Sequence, residues 1–328
     1  MQTVHPFTST LAAEKPVMSP KPQIAVMVPC LNEEAAIANV VADFRAALPD
    51  AVIFVYDNGS SDRTVEVAKA AGAVVRSEPL KGKGNVMRRM FADIEADIYV
   101  LVDGDNTYHA ASAPLLIDRL ITDCLDMVNG AREEKSVDAY RAGHRFGNKL
   151  LTGLVAWFFG ERFTDMLSGY RIMSRRFVKS FPALATGFEI ETELTVHALQ
   201  LRLPIAELPT PYRERPPASS SKLRTIPDGI RIMRLITRLI REERPLEFFG
   251  TIAGLLALTS IAIAIPVVTE FLRTGLVPRL PTAVLSTGLM LLSSLSLTCG
   301  LVLATVTRGR IETKRLQYLS IPLRMTRS

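Results

Sequence analysis

Short apolar runs alternate with amphipathic segments along the first third of the chain. Residues 24–28, 52–56 and 98–102 are almost entirely apolar and predict buried strands. Apolar side chains recur at helical spacing in residues 36–44, and comparable segments follow the later runs. Strands that alternate with helices predict an α/β domain with a mostly parallel sheet, whose ligands bind beyond the carboxyl ends of the strands.

The last third has a different pattern. Residues 248–269 and 280–307 contain no charged side chain. At about 1.5 Å per residue, each segment is long enough to cross a hydrocarbon core of about 30 Å. The short connector 270–279 contains Gly275 and Pro278, so we expect a hairpin of two transmembrane helices, at about 246–270 and 280–307. A pair of buried core helices is the alternative, which such long uncharged stretches disfavour.

Composition and charge indicate which side of the membrane the chain occupies. Hydrophobic residues make up 48% of the chain, and the formal net charge is +6. Five arginines in residues 231–244 precede the hairpin and six basic residues follow residue 307, whereas the connector holds only two arginines. The positive-inside rule therefore predicts a multi-pass protein of the inner or plasma membrane, with the α/β domain and both termini in the cytoplasm.

Three further segments complete the predicted organisation. Residues 1–22 have no continuous apolar core, so we expect a flexible leader rather than a signal peptide. Residues 226–245 alternate arginines with apolar residues at helical spacing, which predicts a basic amphipathic juxtamembrane helix. A solvated helix packed on the domain is the alternative. Residues 309–328 are expected to form a basic cytoplasmic tail, and a membrane rather than nucleic acid is the expected partner of these basic segments.

Asp103-Gly104-Asp105 is the most informative polar motif, because it follows the third apolar run directly. Two carboxylates at a strand end suit Mg²⁺ or Mn²⁺ held together with the phosphates of a nucleotide. In isolation the same motif is more often a plain turn. The four histidines and three cysteines are scattered without ligand spacing, so we assign none of them to a metal.

The chain resembles the family 2 glycosyltransferases, which have the GT-A fold, a nucleotide-sugar-binding fold with a Rossmann-like, mostly parallel sheet. Within that family it is most similar to the polyprenyl-phosphate glycosyltransferases. The resemblance spans about residues 23–231 and rests on four motifs in order, which are Val28-Pro29-Cys30-Leu31-Asn32-Glu33, Asp57-Asn58-Gly59-Ser60-Ser61-Asp62-Arg63-Thr64, Gly82-Lys83-Gly84 and Asp103-Gly104-Asp105. It implies a catalytic domain at residues 23–225 and inverting transfer of a sugar from a UDP- or GDP-linked donor to a polyprenyl phosphate.

The resemblance also implies roles for single residues. The base and ribose pocket would contain Pro29, Asn32, Glu33 and Asp57, with Lys81 and Gly82 beside it. Asp103 and Asp105 would hold Mg²⁺ or Mn²⁺, and the positive charges of Lys222 and Arg215 would face the diphosphate. Asp165 would act as a base or orient the reacting groups, and Arg132 and Arg145 would bind the acceptor phosphate. Relatives often form oligomers, so a homo-oligomer is possible.

Two departures from the family pattern stand out. Asn106-Thr107-Tyr108-His109 replaces a Leu-Gln-His-Pro stretch, so Thr107 or water must replace a glutamine ligand. Ala218 stands where a glycine is expected.

Three other functions stay open at this point. A processive polysaccharide synthase would need a Gln-x-x-Arg-Trp element, but the only tryptophan, Trp157, follows Leu154-Val155-Ala156. A membrane glycosyltransferase acting on a hydroxyl group of a lipid, saccharide or protein is the second enzyme candidate. A catalytically silent nucleotide-binding scaffold is the third.

Overall fold

The computed structural model describes residues 21–133, 153, 164–213, 241–242 and 244–323. Arg145, Arg215 and Lys222 and most of the predicted juxtamembrane helix lie outside the described residues. Seven strands are present in this part of the chain: β1 (Ile24–Cys30), β2 (Val52–Asp57), β3 (Val74–Ser77), β4 (Ile98–Leu101), β5 (Met127–Glu133), β6 (Arg171–Ser174) and β7 (Ile205–Pro211).

α-Helices alternate with these strands and then follow them along the chain. In chain order they are α1 (Ile37–Ala47), α2 (Thr64–Ala70), α3 (Lys83–Asp93), α4 (Ala113–Thr122), α5 (Arg175–Ser180), α6 (Ile190–Leu201), α7 (Pro245–Thr274) and α8 (Leu280–Leu319). A short 3-10 turn, Ala110–Ser112, precedes α4.

The strands form one sheet in the order β3-β2-β1-β4-β6-β5-β7. Only β6 runs antiparallel to its neighbours β4 and β5, and the other pairings are parallel. Cys30 pairs with Asp57, and Met27 pairs with Leu101, so the carboxyl ends of β1, β2 and β4 meet at one edge. The predicted α/β class with a mostly parallel sheet is therefore confirmed.

Two apolar layers cover the sheet because successive strand residues face opposite sides. Met27, Tyr99 and Leu101 pack against α3, α5 and α6. Val26, Val28 and Val100 pack against α1 and α4 on the other side. Both faces are closed, which explains why the strands are continuous apolar runs rather than alternating ones.

Helices α7 and α8 form an antiparallel hairpin. Gly275, at a φ of 70°, ends α7, and the short turn after it leads into α8. Small residues face the partner helix: the Ser260 hydroxyl donates to the Ser286 carbonyl at 2.6 Å and the Ser293 hydroxyl to the Ala253 carbonyl at 2.7 Å. Only 17% and 11% of the most apolar stretches of α7 and α8 are buried, so these are not core helices of the α/β domain. Both are long and apolar enough to cross a membrane.

Helix α8 continues well past its apolar stretch. It runs without a break through residues 309–319, which belong to the segment predicted as a tail. Ile311 and Tyr318 pack against the core of the α/β domain, and the Tyr318 hydroxyl donates to Asp126 Oδ2 at 2.7 Å. The carboxyl-terminal part of α8 therefore connects the hairpin to the α/β domain as a rigid helix.

Candidate active site

The loop after β2 is tied to the loop after β3 by one asparagine. Asn58 accepts a hydrogen bond from the Gly82 amide at 2.7 Å. Its side-chain nitrogen donates to the carbonyls of Glu78 at 2.9 Å and Leu80 at 2.8 Å. The preceding Asp57 accepts the Gly59 amide at 2.9 Å and so shapes the turn. Asn58 thus positions the start of α3.

Asn32 has a structural role on the other side of this loop. It lies in the left-handed region at a φ of 54°, and its side-chain oxygen accepts the Ser61 amide at 2.7 Å. The Asn32 amide in turn donates to Ser60 Oγ at 2.8 Å. Asn32 is exposed and holds the loops after β1 and β2 together. Glu33 is anchored similarly, since its amide donates to Thr64 Oγ1 at 2.8 Å.

The acidic pair follows β4 at the same edge. Asp105 is buried, and its Oδ1 accepts the Thr107 hydroxyl at 2.6 Å and the Thr107 amide at 3.2 Å. Thr107 therefore orients a carboxylate. Asp103 is backed by Gly169, where an added Cβ would lie 2.4 Å from Asp103 Oδ2. A side chain at this position would therefore push the Asp103 carboxylate aside.

Lys83 is a nearly buried cation between two carboxylates. Its Nζ lies 2.5 Å from Asp103 Oδ1 and 2.5 Å from Glu191 Oε1, and its side chain is 8% exposed. Burial alone would lower the pKa of Lys83, but the two carboxylates outweigh it and raise the pKa. Burial also raises the pKa of Glu191, against the pull of Lys83. Lys83 therefore links α3, the end of β4 and the start of α6.

A second glycine brings these elements together. Gly82 has a φ of 121°, and a Cβ there would lie 2.2 Å from the Thr186 carbonyl oxygen. Only glycine combines this backbone conformation with so close an approach. The segment before α6 is thus held against the start of α3, which brings Phe188 and Glu191 towards Lys83.

A cavity of about 230 Å³ opens between these elements. Its lining includes six of the predicted residues, which are Pro29, Glu33, Lys81, Gly82, Asp103 and Asp105. The other lining residues are Cys30, Leu31, Asn58, Lys83, Gly104, Val86 and Phe188. Asn32 and Asp57 do not line it and instead shape the surrounding loops.

Arg132 and Asp165, which the sequence prediction gave separate roles, form an ion pair with each other. Arg132 Nε donates to Asp165 Oδ2 at 2.6 Å and Nη2 donates to Oδ1 at 2.8 Å. The Arg132 guanidinium also lies 5.6 Å from the Tyr212 ring centre. Burial would raise the pKa of Asp165, but the hydrogen bonds and charge of Arg132 outweigh it and lower the pKa. This pair lies outside the 230 Å³ cavity.

Four of the residues that shape the site had no individual role in the sequence prediction. Asn58 and Lys83 belong to motifs that were recognised, but the flanking Asp57 and Lys81 received the roles. Phe188 and Glu191 lie in Phe188-Glu189-Ile190-Glu191, a stretch that the family resemblance associates with the reacting sugar and the acceptor without a separate role for either residue. The ion pair with Lys83 joins residues 108 positions apart, so no local pattern could reveal it.

The donor set fits a hard divalent cation that shares its coordination with phosphate. Asp103 and Asp105 supply oxygen ligands at one cavity edge. No group of three histidine, cysteine or acidic side chains that could hold a metal occurs among the residues that the structure describes. Mg²⁺ and Mn²⁺ commonly use one or two carboxylates and complete their shell with substrate phosphates and water.

Known proteins share both sequence and fold with this chain. A model of the family described as glycosyl transferase family 2 matches residues 25–181. Glycosyltransferase AglJ of Haloferax volcanii is 33% identical over 250 residues, which cover 76% of this chain and 82% of that protein. The dolichyl-phosphate hexose transferase of the same organism is 31% identical over 222 residues, which cover 67% of this chain and 95% of that protein.

Solved structures of known proteins also resemble this chain in fold. The glucosyl-3-phosphoglycerate synthase of Mycobacterium tuberculosis superposes with a TM-score of 0.54 at 27% identity, covering 67% of this chain and 80% of that one. A structure of that synthase with Mn²⁺ and UDP-glucose has a TM-score of 0.53.

Together, the sheet order, the acidic pair at the strand edge and these similarities define a sugar transferase with the GT-A fold. The chain belongs to glycosyl transferase family 2, and its activity is that of a hexosyltransferase. The predicted family is thereby confirmed, and so are its two apolar carboxyl-terminal helices.

Proposed function

We propose that the protein transfers a hexose from a UDP- or GDP-linked donor to a polyprenyl phosphate, with inversion at the anomeric carbon and with Mg²⁺ or Mn²⁺ as cofactor. The products are a polyprenyl-phosphate hexose and a nucleoside diphosphate. Support comes from the cavity at the strand edge, from the donor bound by a structural neighbour and from the name of a relative.

The donor would occupy the 230 Å³ cavity. Pro29, Glu33 and Asn58 line the end near β1 and β2, where the base and ribose are expected. Lys83, Asp103 and Asp105 line the end where the diphosphate would lie. A lysine ammonium binds phosphate as a point charge, so Lys83 is suited to exchange part of its contact with Asp103 for a phosphate oxygen.

Asp103 and Asp105 are the residues that would hold the metal ion. When bound, the cation supplies Lewis acidity that neutralises the diphosphate leaving group. Thr107 fixes the orientation of the Asp105 carboxylate through two hydrogen bonds, and Gly169 leaves the space that Asp103 needs. Both carboxylates are therefore positioned before any ligand arrives, which lowers the reorganisation needed for catalysis.

The Arg132–Asp165 pair is the observation that favours a phosphate acceptor. A general base for a hydroxyl acceptor works best with a pKa near the operating pH. Both Asp165 oxygens accept hydrogen bonds from Arg132, and the pKa of Asp165 is lowered, so this carboxylate is poorly suited to remove a proton. A phosphate monoester, with a second pKa of about 6, is already largely ionised near neutral pH and needs no base.

Arg132 would then serve the acceptor by sharing its guanidinium between Asp165 and the lipid phosphate. The guanidinium has five N–H donors in a planar fork, and two of its nitrogens donate to Asp165 here. Arg145 as a second acceptor ligand, and Arg215 and Lys222 as diphosphate ligands, stay predictions from the resemblance. The cytoplasmic orientation and a homo-oligomer likewise stay predictions.

A panel assay tests the proposal. The full chain in membranes is incubated with labelled UDP- and GDP-hexoses and with either undecaprenyl phosphate or free undecaprenol. We expect label in the lipid phase with the phosphate only, and with one or a few of the donors. Chelation with EDTA and the Asp105→Ala variant should each abolish transfer.

Two results would contradict the proposal. Equal transfer to the free polyprenol would show that the acceptor is a hydroxyl group. Full activity in EDTA would remove the metal from the mechanism. The Lys21→Ala variant, which changes an exposed side chain remote from the cavity lining, serves as a control for expression and membrane insertion.

A further inference from the structure

A second and larger cavity of about 780 Å³ lies between the α/β domain and α8. Its walls are α6, the segment before α6 and the stretch of α8 from Val306 to Lys314. Its lining shares no residue with that of the 230 Å³ cavity. The volume is within the range of small-molecule sites, which is about 300–1,000 Å³.

Two polar atoms on buried side chains of this wall lack hydrogen-bond partners among the residues that the structure describes. Thr192 and His197 are 1% and 2% exposed, and within the described part of the chain Thr192 Oγ1 and His197 Nδ1 have no partner, whereas His197 Nε2 lies 3.5 Å from Ser180 Oγ. Buried polar groups are nearly always hydrogen-bonded, so each exception needs an explanation. Burial, reinforced by the charge of Lys314, lowers the pKa of His197 to about 3, so the imidazole is neutral near pH 7. Both residues line the cavity, which makes it a polar recess within a largely apolar wall.

The location of the cavity points to the membrane. The uncharged stretch of α8 ends at Thr307, and Val306 and Thr307 line the cavity. The Thr307 hydroxyl donates to the Glu242 carbonyl at 3.0 Å, which closes one side. In the proposed membrane arrangement, this level corresponds to the lipid headgroups. A membrane lipid is therefore the molecule with the most direct access.

The lining of the 780 Å³ cavity contains both positively and negatively charged side chains. Arg310 and Lys314 are one helical turn apart on α8 and both line the cavity. Lys314 donates to Gln200 at 2.9 Å, and an ammonium has three donors, so it can bind another acceptor at the same time. Glu189 and Glu242 contribute carboxylates to the same lining. A third carboxylate, Glu193, already accepts the amides of the segment before α6.

We infer that this cavity binds a membrane phospholipid whose headgroup carries both a phosphodiester and a primary ammonium, as in an ethanolamine headgroup. The phosphodiester would lie near Arg310 and Lys314, and the ammonium near Glu189 and Glu242. The first carbons of an acyl chain would lie against Phe181, Val196 and Val306. The inference rests on the membrane placement proposed above but not on the identity of the sugar acceptor.

Helix α6 would connect this lipid to catalysis. Thr192 and Val196 line the lipid cavity, whereas Glu191 on the same helix pairs with Lys83 in the active site. A lipid in the cavity would therefore support the helix that holds Lys83 in place.

Lipid retention tests the inference. The full chain is reconstituted in nanodiscs that contain phosphatidylcholine, phosphatidylethanolamine and phosphatidylglycerol in equal amounts. All three lipids carry the same acyl chains. After extraction into mild detergent, native mass spectrometry measures the lipids that stay bound. We expect phosphatidylethanolamine to be retained in preference to the other two. The Arg310→Gln/Lys314→Gln variant should lower its retention by roughly tenfold or more, since each basic residue near a lipid phosphate contributes about 1 kcal/mol.

A charge-matched control separates the cavity from general attraction to lipid. The Arg308→Gln/Arg315→Gln variant removes two basic residues of the same helix that do not line the cavity, and it should retain lipid like the native chain. The Glu189→Gln/Glu242→Gln variant should lose the preference for phosphatidylethanolamine over phosphatidylcholine.

Three results would overturn the inference. Equal losses in the cavity and control variants would leave only non-specific attraction. Equal retention of all three phospholipids by the native chain would remove the ammonium from the argument. Displacement of the bound lipid by polyprenyl phosphate would show that the cavity belongs to the sugar acceptor. Transfer activity is measured separately, so its absence would count against the proposed function alone.

Discussion

Replacing Lys83 by methionine tests whether the buried Lys83 ammonium stabilises the active site. Methionine has a similar length and no charge, so Lys83→Met leaves Asp103 and Glu191 facing each other. Removing one partner of a buried ion pair costs about 3–5 kcal/mol, because the remaining charge stays buried without compensation. The Asp103 side chain is 27% exposed and that of Glu191 is 9% exposed, so water screens part of the repulsion between them. We therefore expect the free energy of unfolding to fall by about 3 kcal/mol, the lower end of this range.

Thermal unfolding of the full chain in detergent measures this effect. For a domain of about 200 residues, 1 kcal/mol corresponds to roughly 2–4 °C, so the melting temperature should fall by about 6–12 °C. Lys81→Met is the matched control, since Lys81 is exposed two residues earlier and its loss should change stability by less than about 0.5 kcal/mol. The double variant Lys83→Met/Glu191→Gln should recover more than half of the loss, because it removes one of the two facing charges.

Two outcomes would refute this reasoning. If Lys83→Met and Lys81→Met melt at the same temperature, the cation does not compensate the carboxylates. If the double variant is no more stable than Lys83→Met, the loss arises from packing and not from charge. Added Mn²⁺ gives an independent check, since it should raise the melting temperature of Lys83→Met more than that of the native chain.

Three other predictions follow from separate contacts. Gly169→Ala should displace the Asp103 carboxylate and weaken Mn²⁺ binding by about 10–100-fold in electron paramagnetic resonance titrations, and unchanged affinity would exclude Asp103 as a ligand. Tyr318→Phe should leave buried Asp126 without one donor, at a cost of about 1–3 kcal/mol, and speed amide exchange at the end of α8; native exchange rates would show that this end of α8 is not docked. The rate with polyprenyl phosphate should fall as the pH drops below about 6, following the acceptor's second ionisation. The lowered pKa of Asp165 keeps this group ionised in that pH range, so the Asp165→Asn variant should still show the fall in rate at acidic pH. If the fall disappears in this variant, Asp165 is the titrating group.

The part of the site that the sequence predicts is the part made by neighbouring parallel strands. Apolar runs show where β1, β2 and β4 end, and parallel pairing brings those ends to one edge. Pro29, Asp103 and Asp105, which stand at these ends, therefore line one cavity. Gly82 is informative for a physical reason, since its φ of 121° and its contact with Thr186 exclude a side chain.

The contacts that the sequence does not predict are long-range ones. Strand β6 enters the sheet between β4 and β5 against the parallel direction, and this insertion brings the loop with Asp165 and Gly169 to the active-site edge. The pairing of Asp165 with Arg132, 33 residues away, follows from that topology. The sequence prediction assigned a role to each residue separately and therefore missed such pairs. The role of a charged side chain depends on which groups lie next to it in the folded chain.

Helix α8 gives the proposed acceptor a structural rationale. From Thr307 to Tyr318 the helix rises by about 16 Å at 1.5 Å per residue, and Tyr318 docks on Asp126, which directly precedes β5. Asp126 also pairs with Arg176 and Ser174, so this docking point is firmly held. In the proposed membrane arrangement, a helix of this length would keep the α/β domain close to the bilayer surface. A soluble acceptor would need no such constraint, whereas a phosphate on a lipid chain can reach the active site only from the bilayer.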